Sequence, residues 1–161
     1  MKTVSEVMTR GVRTLAPADT LQFAAQAMDE LSVGSIPVCD GQRLVGMVTD
    51  RDITIRGTAH GLPADHTSLE QVLSTDVQWC YDDQSVEAAA RLMCEAQVRR
   101  LPVVDRSKAL VGILSLGDVA VKFSPEEAAR ALETISTPAE PDRSGLSKAS
   151  GAAGGGADAD T

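Results

Sequence analysis

The stretch "LVGMVTDRD", Leu44 to Asp52, returns 66 residues later as "LVGILSLGD", Leu110 to Asp118. Each copy joins an apolar run, typical of a buried strand, to a hydroxyl residue that stands three positions before an aspartate. These residues are Thr49 and Asp52 in the first copy and Ser115 and Asp118 in the second. Because strand and polar motif recur together, the stretch indicates a duplicated fold.

The duplication extends along most of the chain. At an offset of 65 residues, the matching segments are "VSEVMTRGV" (4–12) with "LEQVLSTDV" (69–77), "TLQFAAQAM" (20–28) with "SVEAAARLM" (85–93), and "VGSIPV" (33–38) with "VRRLPV" (98–103). One extra residue in the second turn changes the offset to 66 for the opening motif. Repeats of this length predict supersecondary units that bury a core by packing together.

Each copy predicts the same order of elements. A short helix (Val4–Met8; Leu69–Leu73) precedes an extended segment (Val12–Leu15; Val77–Cys80) and an amphipathic helix opened by "ADT" or "DDQS". Two short apolar strands joined by a polar turn follow, and a last helix begins at the Thr/Ser-x-x-Asp motif. The sequence therefore predicts an α+β fold of two pseudo-symmetric repeats whose small sheets pack together.

The predicted domain boundaries follow from composition. The first repeat spans residues 1–62 and the second 66–123, and "IRGTAHGLPADHT" (55–67) has the Gly and Pro content of a linker. A C-terminal helix is predicted over 124–135, with Ser124 as its N-cap and Pro125 as its first residue. Residues 136–161 are rich in Gly, Ala, Ser and Pro, so we expect them to be disordered.

Composition and charge exclude several classes of function. Residues 124–161 hold seven acidic and three basic side chains and residues 1–123 hold sixteen and twelve, so each part has a net charge of −4. Neither part has the basic excess of a nucleic-acid binder. The chain contains no apolar run of the roughly 18 residues that span a membrane, and its start lacks the apolar region of a secretory signal. We expect a cytoplasmic protein that binds neither nucleic acid nor membrane.

Metal and catalytic chemistry are also not expected. The three cysteines (Cys39, Cys80 and Cys94) are scattered, and His60 and His66 are the two histidines. This set argues against a structural metal site and a disulfide framework, although a bridge between two cysteines stays open. The sequence has no Walker loop, nucleophile elbow or catalytic triad, so the protein is not predicted to be an enzyme.

The Thr/Ser-x-x-Asp motif has two interpretations. Thr49 and Ser115 stand where a strand gives way to a helix, and a hydroxyl followed by an acid three residues later is a helix cap. The same geometry suits a ligand, because free N–H groups attract phosphate and a carboxylate accepts hydrogen bonds from the two hydroxyls of a ribose. The two roles are compatible with one another.

Basic residues favour the ligand interpretation. Arg99 and Arg100 precede Pro102 in "VRRLPV", and a guanidinium fork fits phosphate. The first repeat has Gly34 and Ser35 at these positions, so the two sites are expected to differ. The alternative interpretation is that Arg99 and Arg100 lie on an exposed strand edge and bind no ligand. Arg51 is a further candidate for binding phosphate. The alternative is that Asp50 and Asp52 beside it only neutralise its charge.

Two copies of this pattern, in this order, resemble a pair of cystathionine-β-synthase-type (CBS) domains, the Bateman module. The likeness covers roughly residues 1–123, and "GMVTDRDI", "GTAHGLP" and "QVRRLPVVD" are similar to small stand-alone bacterial CBS-pair proteins of the hypoxic-response type, which act in stress. The resemblance implies a disc-shaped homodimer. The sequence contains no effector domain, so we expect any signal to pass to an unknown effector protein.

The resemblance also implies a ligand and its contacts. The ligand would be an adenosine compound, such as AMP, ADP, ATP, NAD or S-adenosylmethionine, held between the repeats to signal by conformational change. Asp52 and Asp118 would hold the ribose, while Thr49 and Ser115 approach the phosphate. The expected contributors to the adenine slot are Thr9 and Val12, or Ser74 and Val77, together with Val33 and Gly34. The alternative function is a dimerising interaction module that needs no ligand.

Overall fold

A computed structural model describes residues 1–136 of the chain. The helices are α1 Val4–Val7, α2 Leu21–Leu31, α3 Asp50–Asp52, α4 Val86–Ala96, α5 Leu116–Lys122 and α6 Pro125–Ser136. The strands are β1 Ser35–Asp40, β2 Arg43–Thr49, β3 Cys80–Tyr81, β4 Arg100–Val104 and β5 Leu110–Ser115. Apart from Ser136, the segment predicted to be disordered lies outside the described residues.

The strands form two small sheets, one in each repeat. In the first, β1 and β2 are antiparallel; in the second, β4 pairs with β5 antiparallel and with β3 parallel. Of the predicted extended segments, only Leu15, bridged to Val38, and β3 join a sheet. The remaining residues of these segments are unpaired because they pass along the clefts between the repeats. The α+β class and the two-repeat architecture are confirmed.

The amphipathic helices form as their patterns predict. The hydroxyl oxygens of Thr20 and Ser85 cap α2 and α4 by accepting hydrogen bonds from the N–H groups of Phe23 and Ala88, both at 3.1 Å. Each helix buries one face of small and aliphatic residues on its sheet. These are Leu21, Ala24, Ala27 and Met28 in α2, and Val86, Ala89, Ala90 and Met93 in α4.

The two repeats exchange their first helices. Val4, Val7 and Met8 lie in the hydrophobic core of the second repeat, around Leu101 and Leu114. Conversely, Leu69 and Val72, from the 3₁₀ turn Leu69–Gln71, lie in the core of the first repeat with Leu21 and Ile36. The packed halves therefore differ from the sequence repeats, since each half needs the segment that precedes the other.

Two glycines allow the exchanged segments to cross the sheets. A Cβ atom added at Gly46 would lie 2.5 Å from the carbonyl oxygen of Ser74, and one added at Gly112 would lie 2.7 Å from that of Thr9. Backbone hydrogen bonds hold both crossings, between Met47 and Ser74 and between Ile113 and Thr9. The glycine of each "LVG" motif is thus required by close backbone approach.

The start of the predicted linker is helical. After α3 the chain continues as a π-helical turn, Ile53–Gly57, and a 3₁₀ turn, Thr58–His60. Gly57 is buried against Leu21, where a side chain would clash at 2.7 Å, so the turn packs on α2 instead of leaving the core. Within residues 1–136, no helix combines the length and apolar character needed to cross a membrane.

Candidate functional site

The Thr/Ser-x-x-Asp motifs form capping boxes in both repeats. Thr49 Oγ1 accepts a hydrogen bond from the Asp52 N–H at 2.9 Å, and Asp52 Oδ2 accepts one from the Thr49 N–H at 3.0 Å. Ser115 and Asp118 repeat this exchange at 3.0 and 3.1 Å. The capping interpretation is therefore confirmed, and any binding role is additional to it.

Asp118 also connects the two repeats. The hydroxyl of Thr9 lies 3.1 and 3.2 Å from its two carboxylate oxygens, and Lys122 Nζ lies 3.3 Å from Oδ1. Thr9 belongs to the segment that crosses from the first repeat, so one side-chain contact links the crossing segment to α5. The carboxylate side chain is 13% exposed and remains in reach of solvent.

Asp52 has the equivalent contacts in a looser form. The hydroxyl of Ser74 lies 3.4 and 3.5 Å from its carboxylate oxygens, and Arg56 Nε lies 3.9 Å from Oδ1. Ser74 occupies the position that Thr9 has in the other half. Both aspartates are thus held by a cap and a crossing hydroxyl, and the Asp118 contacts are shorter.

The first cavity, which we call the Asp118 cleft, has a volume of about 390 Å³. Its polar residues include Thr9, Ser35, Ser115 and Asp118. Its apolar wall is formed by Val12, Leu31, Val33, Ile36, Pro37, Met47 and Ile113. Three arginines, Arg10, Arg13 and Arg100, also line it. Arg10 donates hydrogen bonds to Ser5, and the guanidinium of Arg13 lies over the ring of Phe23. An apolar wall beside a carboxylate and Arg100 suits a ligand with a flat apolar part and an anionic part.

The second cavity, the Asp52 cleft, is larger, at about 740 Å³. The lining residues equivalent to those of the first cleft are Thr49, Ser74, Val77, Val98, Arg100 and Pro102, and Arg99 lines the cleft in addition. Asp76 and Gln78 replace Gly11 and Arg13, and Ile135 of α6 closes one side. An acidic residue in place of a glycine makes this cleft less favourable for an anion.

The structure brings together most of the predicted site residues. Thr9, Val12, Val33, Ser115 and Asp118 meet in one cleft, and Thr49, Ser74, Val77 and Arg99 meet in the other. Asp52 is buried and reaches its cleft through Ser74.

Three predicted residues line neither cleft in the described part of the chain: Asp52, Arg51 and Gly34. Arg51 is exposed, because adjacent side chains on a helical turn point about 100° apart and Asp52 takes the inward direction. The backbone carbonyl of Gly34 accepts a hydrogen bond from the Asp50 N–H at 2.9 Å, at the start of α3.

Sequence reasoning missed Arg10 and Arg13. Both line the Asp118 cleft because they flank Gly11 and Val12 in the crossing segment. The available signal was their position beside Thr9 and Val12, which were already candidates. Within residues 1–136, no group of three or more His, Cys, Asp or Glu side chains is placed to hold a metal ion.

Two α+β halves with exchanged helices and paired clefts define a two-repeat binding module. The model of the CBS domain family matches residues 4–56 and 69–125, and the chain belongs to this family. It is 44% identical to the CBS domain-containing protein YhcV of Bacillus subtilis over 137 residues, which are 84% of this chain and 96% of that protein. Such CBS pairs are regulatory modules, and the CBS domain itself is not catalytic.

Hypoxic response protein 1 of Mycobacterium tuberculosis is 37% identical over 129 residues, covering 80% of this chain and 89% of that protein. A solved structure of Hypoxic Response Protein I with two coordinated zinc ions has a TM-score of 0.69 and covers 74% of this chain and 98% of that chain. The predicted likeness to this group is thereby confirmed. The structure of CBSX2 in complex with AMP is 27% identical, has a TM-score of 0.64, and covers 85% of this chain and all of that chain.

Proposed function

We propose that this protein is a regulatory module that binds a phosphorylated adenosine ligand in the Asp118 cleft and signals by a change in conformation. The observation that carries the proposal is the convergence of an apolar wall, the Asp118 carboxylate and Arg100 in one cavity of about 390 Å³. The similarity to CBSX2, whose structure contains AMP, supports an adenosine ligand.

Each part of such a ligand has a matching surface. The adenine would lie against Val12, Val33 and Pro37, where burial of its flat face is favourable. The ribose hydroxyls would donate hydrogen bonds to Asp118. The phosphate would meet Arg100, which pairs with Ser115 across β4 and β5 and so projects to the same side of the sheet.

Binding at Asp118 would change the contact between the repeats. A carboxylate offers about four acceptor positions. The Ser115 N–H, the Thr9 hydroxyl and Lys122 already occupy three of these positions, and the two hydroxyls of a ribose need two. A ribose diol would therefore displace the hydroxyl of Thr9 and release the crossing segment from α5. A ligand with different affinity for the linked and released forms shifts their populations, which is the physical basis of signalling.

We further propose that the module forms a homodimer that acts in the cytoplasm on a separate effector protein. Val121 on α5 and Leu132 on α6 are 84% and 43% exposed, and apolar side chains on adjacent helices are a suitable surface for association. A ligand-independent interaction module is the second candidate function, and the same two residues favour it. The two functions differ in whether adenosine compounds bind.

A thermal-shift panel with AMP, ADP, ATP, NAD and S-adenosylmethionine tests the proposal. Ligand at 100 times Kd stabilises a protein by about 2.7 kcal/mol, which corresponds to roughly 5–10 °C in Tm at this size. The absence of a shift with all five compounds would refute the adenosine-binding function and leave the interaction module.

The variant Asp118→Ala assigns the site. It should lose the part of the ligand shift that comes from the Asp118 cleft and, as the lost half of a capping box, about 1 kcal/mol of stability. Ser124→Ala is the matched control, because Ser124 Oγ caps α6 by accepting from the Glu127 N–H at 3.2 Å and lines neither cleft. It should lose similar stability and keep the shift. If Asp118→Ala keeps the full shift of the natural protein, Asp118 does not contact the ligand.

A further inference from the structure

One arginine lies at the boundary between the two clefts. Arg100 lines both the Asp118 cleft and the Asp52 cleft, as do Ser35 and Met47. Arg99, by contrast, lines the Asp52 cleft, and Arg10 and Arg13 line the Asp118 cleft. The guanidinium of Arg100 is therefore within reach of a ligand on either side.

The pseudo-symmetry of the fold should supply two such side chains, but the sequence supplies one. Ser35 occupies the position equivalent to Arg100: Ser35 pairs with the N-cap Thr49, and Arg100 pairs with the N-cap Ser115. An arginine at position 35 would be the symmetric counterpart of Arg100, but Ser35 has a short neutral side chain. Two clefts share one central guanidinium.

The guanidinium of Arg100 can turn toward either cleft. Within residues 1–136 it forms no hydrogen bond or ion pair with another side chain, and the residue is exposed. It stands at the first residue of β4, where the strand fixes its Cα while the long side chain keeps its rotamers. Either cleft is thus served by rotation of this side chain alone.

We propose that Arg100 couples the two clefts negatively, so that a phosphorylated ligand in the Asp118 cleft lowers the affinity of the Asp52 cleft for a second one. This inference rests on the proposed function. A phosphate that engages the guanidinium fork removes it from the other cleft and places negative charge beside it. The Asp52 cleft would then keep Arg99, opposed by Asp76.

The expected size of the coupling follows from one charge-assisted hydrogen bond. Losing such a bond changes affinity by roughly 10- to 100-fold. The coupling needs the phosphate, so adenosine, which lacks one, should bind the two clefts independently. By linkage, the effect is reciprocal: a phosphate bound in the Asp52 cleft weakens the Asp118 cleft by the same factor.

Isothermal titration with AMP and with adenosine tests the coupling. In the natural protein, AMP should show a tight site and a second, weak site. Asp118→Ala removes the first site and leaves Arg100 to the Asp52 cleft, so its remaining AMP Kd should be about tenfold or more below the second Kd of the natural protein. With adenosine these two Kd values should agree.

Two further variants give the same answer without disturbing Asp118. Ser35→Arg supplies the missing guanidinium at a half-buried position, so the second AMP site should tighten toward the first. Arg100→Ala should weaken both AMP sites and make them independent. Arg99→Ala is the matched control, because it should weaken the Asp52 cleft and leave the tight site unchanged.

The outcomes separate this inference from the proposed function. If AMP and adenosine both fail to bind the natural protein, the proposed function is wrong and the coupling with it. If AMP binds the natural protein but not Asp118→Ala, the Asp52 cleft takes no nucleotide and the coupling alone is overturned. Equal AMP affinities for the Asp52 cleft, with and without an occupied Asp118 cleft, would also overturn the coupling.

Discussion

The exchange of helices between the repeats depends on Gly112, and the variant Gly112→Ala tests it. The added methyl would lie 2.7 Å from both the carbonyl oxygen of Thr9 and the sulfur of Met8. Met8 is flexible and can move aside. The Thr9 carbonyl cannot, because it accepts a hydrogen bond from the Ile113 N–H at 2.9 Å, while the Thr9 N–H donates to Ile113 at 2.8 Å.

The cost of Gly112→Ala has two parts. Overpacking a core position costs about 1–3 kcal/mol. Weakening the two backbone hydrogen bonds costs about 0.5–1.5 kcal/mol each. Because the parts overlap, we expect a loss of about 2–5 kcal/mol in the free energy of unfolding, a large share of the 5–15 kcal/mol typical of a domain. Urea unfolding followed by circular dichroism measures it.

Gly117→Ala is the matched control for the glycine prediction. It lies in α5, five residues further on, and its added methyl would meet Ser115 Oγ at 3.6 Å, an ordinary contact. Alanine is favoured over glycine in a helix by up to about 1 kcal/mol, so this variant should be as stable as the natural protein or more so. If Gly112→Ala also unfolds within about 0.5 kcal/mol of the natural protein, the close crossing of Thr9 is wrong.

Two further predictions concern titrating groups. Burial raises the pKa of Cys80 to about 12, so a disulfide reagent at pH 8 should modify half-buried Cys94 well before Cys80; equal rates in the folded protein would contradict this burial. The Arg106 guanidinium donates two hydrogen bonds of 2.8 Å to Asp83 and holds the pKa of that carboxyl below its ordinary value. The ionised pair therefore stabilises the fold above about pH 3.9, and this is lost as pH falls through the folded pKa. In Arg106→Gln, an NMR titration should find the Asp83 pKa raised; an unchanged value would refute the pairing.

The sequence predicted the architecture because local signals agreed with the global fold. Hydrophobic spacing fixed the faces of α2 and α4, and the hydroxyls of Thr20 and Ser85 marked their first turns. The same agreement in two copies made the duplication clear. Signals of this kind depend on residues close in sequence, so they predict the same helices in different tertiary arrangements.

The helix exchange was not predictable from these signals. The apolar residues of α1 and of the Leu69–Gln71 turn are alike, so either helix would bury a similar surface in either half. The path of the backbone decides which helix packs in which half, because Thr9 approaches Gly112 closely and Ser74 approaches Gly46 closely. A glycine after two apolar residues in a strand indicates close contact but does not name its partner.

The sequence indicated only those residues of the candidate site that lie on regular elements. Thr49, Ser115 and the aspartates lie on elements whose start the sequence marks, so their positions followed from the motif. Arg10 and Arg13 lie on an irregular segment, whose side chains have no periodicity to indicate a direction. Arg51 is exposed and lines neither cleft, and a single turn of helix gives no sequence pattern from which to judge its inward face.

The exchange also explains why a binding site in this fold would report on the arrangement of both repeats. Asp118 belongs to one repeat and Thr9 to the other, and their contact lies beside the backbone pairing of Thr9 with Ile113. A ligand that displaces the Thr9 hydroxyl would act on the crossing that completes the second core. By linkage, a change that loosens this crossing must alter ligand affinity in turn. Gly112→Ala should therefore change ligand affinity as well as stability, although Gly112 lines neither cleft.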